Sequence, residues 1–214
     1  MKPAPFAYYA PDTLDEALAH IAQHADHAKL LAGGQSLIPA MNFRLAQPAA
    51  LVDLNRVDEL DYLLHEEDGS LRIGAMTRQR HLERSSTVRD FAPLLHETLP
   101  HIAHIQIRNR GTFGGSLAHA DPAAELPAVA VALDAHLVLH STRGQRTVAA
   151  RDFFVALFTT DLAPDEILTE IVLPPLPERS GSAFVEFARR SGDYAIAGCA
   201  AIVTLDAVGT CTDA

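Results

Sequence analysis

The first 55 residues alternate between helical and strand-like patterns of apolar positions. The elements that these patterns predict are a helix at 14–25, a strand at 28–33, a helical crossover at 37–47 and a strand at 50–54. Thr13 and Glu16 form a capping box at the start of the helix. A strand, a crossover and a second strand predict a small α/β subdomain over residues 1–55.

Period-two patterns dominate the middle of the chain. Strand-like segments lie at 70–77, 136–142, 146–153 and 166–174, and helical segments at 77–102 and 124–135. The helical segment at 77–102 is interrupted by serines and prolines. This mixture predicts a larger α+β subdomain with a mostly antiparallel sheet over residues 56–176.

The stretch at 174–182, PPLPERSGS, carries three prolines without periodicity and predicts a linker. Two strand-like segments follow at 183–191 and 197–206, and turn residues beyond them predict a return strand. We expect residues 177–214 to be the beginning of a truncated C-terminal α+β domain, with one edge strand left unpaired.

Composition narrows the possible partners and compartments. The 27 acidic and 17 basic residues give a formal net charge of −10, which argues against binding to nucleic acid or to an anionic membrane surface. Since no apolar run approaches the roughly 18 residues of a membrane span, we expect no membrane insertion. The presence of only two cysteines is typical of a protein of the reducing cytoplasm.

Neither cysteines nor histidines form a recognisable metal motif. Cys199 and Cys211 are the only cysteines, fewer than the four thiolates that an iron–sulfur cluster normally takes. His20, His24 and His27 have helical spacing, but we interpret them as a solvated helix face opposite the apolar stripe. The sequence therefore predicts no metal site.

Two glycine loops are the main candidates for ligand binding. AGGQSL (32–37) and TFGGSL (112–117) match neither a phosphate-binding P-loop nor a dinucleotide fingerprint. Glycine pairs let consecutive N–H groups converge on a phosphate oxygen, and the nearby serine adds a hydroxyl donor. Each loop alone is more readily a tight turn, whereas for the pair a diphosphate site is as good an interpretation as two turns.

Two further segments have both functional and structural interpretations. After the second loop, Asp121 is a candidate helix cap and Glu125 is a candidate for either macrodipole stabilisation or a ribose contact. The turn at 189–194, with Arg190 and Tyr194, is either a flavin contact or an ordinary hairpin end. No nucleophile–base pair is apparent, so no catalytic residue is predicted and a bound cofactor would supply the chemistry.

Taken together, the sequence blocks resemble a known family. LLAGGQSLIPAMNFRL, LVDLNRV, IRNRGTFGGSLAHADPAAELPAVAVALDA and FARRSGDYAIAG are similar to the FAD-binding medium subunit of the molybdenum hydroxylases, which include carbon monoxide dehydrogenase, quinoline oxidoreductase and xanthine dehydrogenase. The resemblance implies the two-subdomain FAD-binding fold of the vanillyl-alcohol oxidase (PCMH) type.

The resemblance also implies a set of FAD contacts. The first loop would hold the diphosphate on one side and the second loop on the other, with Glu125 near adenosine, and with Ile167 or Leu168, Arg190 and Tyr194 near the isoalloxazine. The residues of the two loops are Ala32, Gly33, Gly34, Gln35, Ser36 and Leu37, and Thr112, Gly114, Gly115 and Ser116. Phe113 replaces the isoleucine or leucine common in the family, and we expect repacking with retained binding.

The implied function is electron transfer within a complex. A large subunit would carry molybdopterin, a small subunit two [2Fe-2S] clusters, and this chain FAD, which passes electrons to an external acceptor. We expect a dimer of heterotrimers. The alternatives are a stand-alone FAD-dependent oxidoreductase of the same fold and a cofactor-free interaction protein in which both loops are turns.

Overall fold

A three-stranded parallel sheet forms the N-terminal part of the computed structural model, which describes residues 2–214. Its strands are β1 (Ala7–Tyr9), β2 (Ala28–Leu31) and β3 (Ala50–Asp53), in the order β1-β3-β2. Helix α1 (Leu14–His24) packs on this sheet, and α2 (Leu37–Asn42) lies in the crossover between β2 and β3. The predicted strand–crossover–strand unit is confirmed; β1, which the sequence indicated only as an extended start, adds a third strand.

Helix α1 begins where the capping box predicted. The Thr13 hydroxyl accepts the Glu16 N–H at 3.3 Å, and Glu16 in turn accepts the Asp12 N–H at 3.0 Å. Ala17, Leu18 and Ile21 of this helix are buried against the sheet. The helix ends at His24, one residue earlier than predicted.

The second sheet is antiparallel and has five strands. They are β4 (Leu63–His65), β5 (Leu71–Gly74), β6 (His136–Ser141), β7 (Gly144–Ala149) and β10 (Ile167–Leu173), in the order β4-β5-β10-β6-β7. A short hairpin, β8 (Phe154–Ala156) with β9 (Thr159–Thr160), follows β7. The predicted antiparallel sheet is confirmed.

Seven helices accompany this sheet in the described chain. They are α3 (Gln79–Arg84), α4 (Ser86–Phe91), α5 (Pro93–Thr98), α6 (Ile105–Arg108), α7 (Phe113–His119), α8 (Glu125–Ala132) and α9 (Ala150–Phe153). Phe113 and Phe153 are fully buried in the core that these helices share with β5, β6 and β10. Phe113 therefore anchors the first turn of α7 in the core.

A third sheet contains β11 (Ser180–Ala188), β12 (Ala195–Leu205) and β13 (Cys211–Asp213), all antiparallel. The predicted return strand is confirmed as β13. The predicted linker is too long, because Ser180 already begins β11. Phe184 of β11 is buried in the same core as the five-stranded sheet, where β11 contacts α5 and β12 contacts α8.

The histidines of α1 pack against an aromatic ring. His20 and His24 stack on Tyr9 with ring centroids 4.5 and 5.1 Å apart, and only His27 is exposed. The predicted solvated face is thus wrong for two of the three, because β1 brings Tyr9 across that side of the helix. Within residues 2–214, no three His, Cys, Asp or Glu side chains cluster as metal ligands would, and every helix is too short or too polar to cross a bilayer.

Candidate functional site

A cleft of 620 Å³ opens where the two glycine loops meet. We call residues 32–37 the first loop and residues 110–116 the second loop. The volume of the cleft is in the range of small-molecule and cofactor sites. The predicted site residues that line it are Ala32, Gly33, Gly34, Gln35, Ser36, Leu37, Thr112, Gly114, Gly115, Ser116, Glu125, Leu168 and Tyr194.

The first loop leaves the carboxyl end of β2 and presents free backbone donors. Gly34 has φ +75°, a left-handed conformation that glycine adopts without steric cost. Among residues 2–214, the N–H groups of Gly33 to Leu37 have no hydrogen-bond acceptor. Backbone donors at such a position normally find a partner, so the loop has the donor set of an anion-binding site.

The N–H groups of the second loop donate hydrogen bonds to other groups of the protein. Phe113 donates to the Thr77 carbonyl at 3.1 Å, and Gly114 donates to the Ala75 carbonyl at 2.9 Å. The Thr112 hydroxyl caps α7 by accepting the Gly115 N–H at 3.0 Å. This loop is consequently a fixed wall, whose side toward the cleft carries the Ser116 hydroxyl.

The glycines of the second loop are required by packing. A Cβ on Gly114 would lie 2.4 Å from the Ala75 Cβ and 2.8 Å from the Ala75 backbone. A Cβ on Gly115 would lie 2.6 Å from the Thr112 hydroxyl oxygen. The missing side chains thus let α7 approach β5 and let Thr112 close the cap.

The two loops touch each other through their backbones. A Cβ on Gly33 would lie 2.4 Å from the Arg110 carbonyl oxygen and 2.8 Å from the Gly111 Cα. Gly33 is buried. The pair of loops therefore forms one continuous floor to the cleft.

Carboxyl groups and a tyrosine collect at one end of the cleft. Burial, with the nearby charges of Glu186 and Asp121, raises the pKa of Glu125. Burial and the nearby charge of Asp121 raise the pKa of Tyr194. Because Glu125 also acts electrostatically on Tyr194, the two side chains lie at the same end.

Asp121 closes a turn before α8 instead of capping that helix. Its carboxylate accepts the Ala123 N–H at 2.9 Å, and its carbonyl accepts the Ala124 N–H at 3.0 Å. The N-cap of α8 is Ala124. The helix-cap interpretation of Asp121 is therefore wrong, because α8 begins four residues later.

Arg190 lies outside the cleft. Its side chain is 80% exposed, sits 3.9 Å from the Asp193 carboxylate, and borders a shallower pocket of 360 Å³ beside His101 and Glu186. The turn at 189–194 reaches the cleft only through Gly192, Asp193 and Tyr194. The structure therefore does not bring the expected cation to the other predicted site residues.

Several cleft residues carry no motif that the sequence analysis used. Gln79 lines the cleft and is buried, and its Oε1 atom has no hydrogen-bond partner among the described residues. Phe158 also lines the cleft at φ +54°, and its ring lies 5.4 Å from that of His119. Of these residues, only Gln79 could have been suspected from the sequence. It lies close to the end of a predicted strand, and loops at such positions often carry binding residues.

Comparison with known proteins identifies the family of the chain and the cofactor of that family. Residues 4–176 match the family described as FAD binding domain in molybdopterin dehydrogenase. The chain is 49% identical, over its whole length and 72% of the relative, to the 6-hydroxypseudooxynicotine dehydrogenase complex subunit alpha of Paenarthrobacter nicotinovorans.

Solved structures give the same result. Carbon monoxide dehydrogenase from Hydrogenophaga pseudoflava superposes with a TM-score of 0.95 at 43% identity, covering 100% of this chain and 74% of that chain. Quinoline 2-oxidoreductase from Pseudomonas putida 86 gives 0.93 at 41% identity, covering 99% and 72%. The predicted fold class, oxidoreductase class and FAD cofactor are confirmed. The chain belongs to the family of FAD-binding domains of molybdopterin dehydrogenases.

Proposed function

We propose that this chain is the electron-transfer flavoprotein subunit of a molybdenum hydroxylase complex. In this function it takes electrons from [2Fe-2S] clusters of a small partner subunit and delivers them through FAD to an external acceptor. A large partner subunit carries molybdopterin, and the complex is a cytoplasmic dimer of heterotrimers. The observation that carries the proposal is the cleft, which is lined by the free backbone donors of the first loop and by the fixed second loop.

The residues present fit FAD. Five consecutive N–H groups of the first loop, Gly33 to Leu37, lack acceptors in the described chain, and phosphate oxygens accept such donors well. The Ser116 hydroxyl lines the facing wall. We propose that these groups hold the diphosphate, and that no lysine is needed because the backbone supplies the donors.

The remaining predicted FAD contacts in the cleft are one apolar side chain and two polar side chains. Leu168 contributes buried apolar surface to the cleft, which suits a planar ring. Glu125 and Tyr194 share the polar end, so we propose that both face the same part of bound FAD. The Glu125 carboxyl, whose pKa burial raises, accepts hydrogen bonds and, when protonated, also donates one. When bound, FAD supplies exchange between one-electron and two-electron carriers.

The cysteine count supports an electron source in partner subunits. Cys199 and Cys211 are both free and exposed on the third sheet, and two thiolates are half of what one cluster takes. The similar proteins are named as a complex subunit and a medium chain, which supports assembly with other chains.

The test measures cofactor and electron source separately. Purified protein should show flavin absorbance and release FAD on denaturation. Chemically reduced [2Fe-2S] subunit, mixed anaerobically with the flavoprotein, should bleach the flavin band. A colourless folded protein that ignores added FAD would contradict the proposal. Rapid flavin reduction by a small organic substrate without partner subunits would instead favour the stand-alone oxidoreductase.

A further inference from the structure

Two side chains outside the cleft connect the backbones of the two loops. Asn55 donates from Nδ2 to the Ala32 carbonyl at 2.9 Å. Arg78 donates from one guanidinium nitrogen to Asn55 Oδ1 at 2.6 Å and from another to the Arg110 carbonyl at 2.5 Å. We call this chain of contacts, from the first loop to the second, the Asn55–Arg78 bridge.

The Asn55 amide fits this position in one orientation only. Its Nδ2 faces two acceptors, the Ala32 carbonyl and the Asp53 carboxylate, while its Oδ1 faces the guanidinium of Arg78. Arginine donates hydrogen bonds and accepts none. A flipped amide would therefore set oxygen against oxygen and N–H against N–H.

The Asp53 carboxylate fixes this orientation of the Asn55 amide. Its carboxylate accepts the Asn55 backbone N–H at 2.9 Å and the Tyr8 hydroxyl at 2.6 Å. Strand β3 ends at Asp53 and β1 carries Tyr8, so the bridge is built on the parallel sheet. The first loop is thereby tied to the most regular part of the N-terminal fold.

Arg78 supplies a geometry that no other side chain reproduces. It is half-buried, and in the described chain no carboxylate lies within ion-pair distance of it. Its two acceptors point in different directions, toward Asn55 and toward the second loop, which a planar fork of donors satisfies at once. A lysine ammonium keeps the charge but not the fork.

We propose that Asn55 and Arg78 are positioning residues for FAD, which hold the first loop at the separation from the second that a bound diphosphate requires. The inference rests on the proposed position of the diphosphate between the loops. Neither residue lines the cleft, so each acts through the carbonyl it holds. The backbone contact of Gly33 with Arg110 limits closer approach, and the bridge limits separation.

Asn55→Asp is the sharpest test because it changes one donor group for an acceptor without changing shape. At neutral pH the introduced carboxylate faces Asp53 and the Ala32 carbonyl, and we expect FAD affinity to fall about tenfold or more. As the pH is lowered below the pKa of this carboxyl, which the Asp53 charge raises and the Arg78 guanidinium lowers, the carboxyl regains an O–H donor. Affinity relative to wild type should then recover.

Asn55→Ala is the matched control, since it cannot regain a donor and should show no recovery. Expressing each affinity relative to wild type at the same pH removes titration common to both proteins. The charged or titratable groups around the position are Tyr8, Asp53, Arg56, Asp61, Arg78 and Arg110. Equal pH profiles for the two variants would overturn the inference.

Arg78 is tested by Arg78→Lys and Arg78→Met. Both should weaken FAD binding about tenfold, because neither spans the two acceptors. Combining Asn55→Ala with Arg78→Met should cost little more than the larger single change, since either one breaks the bridge. Wild-type affinity in Arg78→Lys, or full additivity in the double variant, would contradict the proposal.

Arg146→Met controls for general destabilisation. Arg146 binds Glu166 and Asp161 through a comparable fork at the β7 edge of the second sheet and does not line the cleft. It should lower the melting temperature of the apoprotein and leave FAD affinity unchanged. If wild type itself binds no FAD, the proposed function fails; if wild type binds and the bridge variants bind equally well, only this inference fails.

Discussion

The two glycine loops look alike in sequence but differ in what their backbones do. In the described chain, the first loop leaves the N–H groups of Gly33 to Leu37 without acceptors. The second loop commits those of Phe113, Gly114 and Gly115 to the Thr77 carbonyl, the Ala75 carbonyl and the Thr112 hydroxyl. One loop is therefore organised to receive a ligand, and the other to hold a wall in place.

The same residue type serves different purposes in the two loops. Gly34 is needed for its left-handed backbone, and its added Cβ would meet only flexible side chains, at 3.2 Å. Gly114 has no positive φ but lies against the backbone of Ala75, directly after β5. A shared Gly-Gly-Ser pattern thus does not establish a shared role; the hydrogen bonds of each loop do.

Gly114→Ala should produce the largest effect and should act on folding. The added methyl group would overlap Ala75, and overpacking of this kind costs about 1–3 kcal/mol. For a chain of this size that lowers the melting temperature by roughly 2–12 °C. Gly181→Ala in β11 is the control, because its Cβ would meet nothing within 4 Å. Equal melting temperatures for both variants would contradict a packing role.

Gly34→Ala should act mainly on binding. A left-handed backbone costs an L-residue roughly 1–2 kcal/mol, so FAD affinity should fall about tenfold, measured by titration of apoprotein with FAD. Gly34→Asn should lose less, because asparagine tolerates this conformation. If the apoprotein melting temperature falls as far as in Gly114→Ala, the distinction between the two loops is lost.

Local signals in the sequence were sufficient for much of the fold. The Thr13 cap and the apolar face of α1, the parallel pair β2 and β3, and the return strand β13 depend on near neighbours, and each was predicted. The glycine loops were also found, because Gly-Gly pairs next to serine are unusual in their backbone freedom.

Contacts between distant segments were not predictable from those signals. Asn55 and Arg78 are separated by 23 residues in the sequence. They meet because the fold brings the segment after β3 next to the segment after β5. The exposure of Arg190 depends on the course of the turn between β11 and β12, and the internal use of the second loop's N–H groups depends on β5. Residue type and spacing carry no information about such pairings.

Thr112→Val and Ser36→Ala compare the hydroxyl groups of the two loops. Loss of the Thr112 cap should cost about 1 kcal/mol and lower the apoprotein melting temperature by roughly 2–4 °C. Ser36 is exposed and makes no side-chain cap bond, so Ser36→Ala should leave that temperature unchanged. It should weaken FAD binding by about two- to tenfold. Calorimetry and FAD titration on both variants would reveal a reversed or uniform pattern.

Glu125→Gln should give the smallest effect and extends the comparison to charge. All acidic residues that line the cleft, Asp121, Glu125 and Asp193, lie beyond the second loop, whereas the segment before the first loop contributes Lys29. Burial, with Glu186 and Asp121 nearby, raises the pKa of Glu125 in the folded state. Its favourable contribution is therefore complete below the unfolded pKa and lost as the pH rises through the folded pKa. Glutamine stays neutral, so the variant should gain apoprotein stability over wild type across that interval, measured by urea unfolding at successive pH values. A difference that stays constant with pH would show that the burial of Glu125 and its acidic neighbours do not disfavour the charged carboxylate.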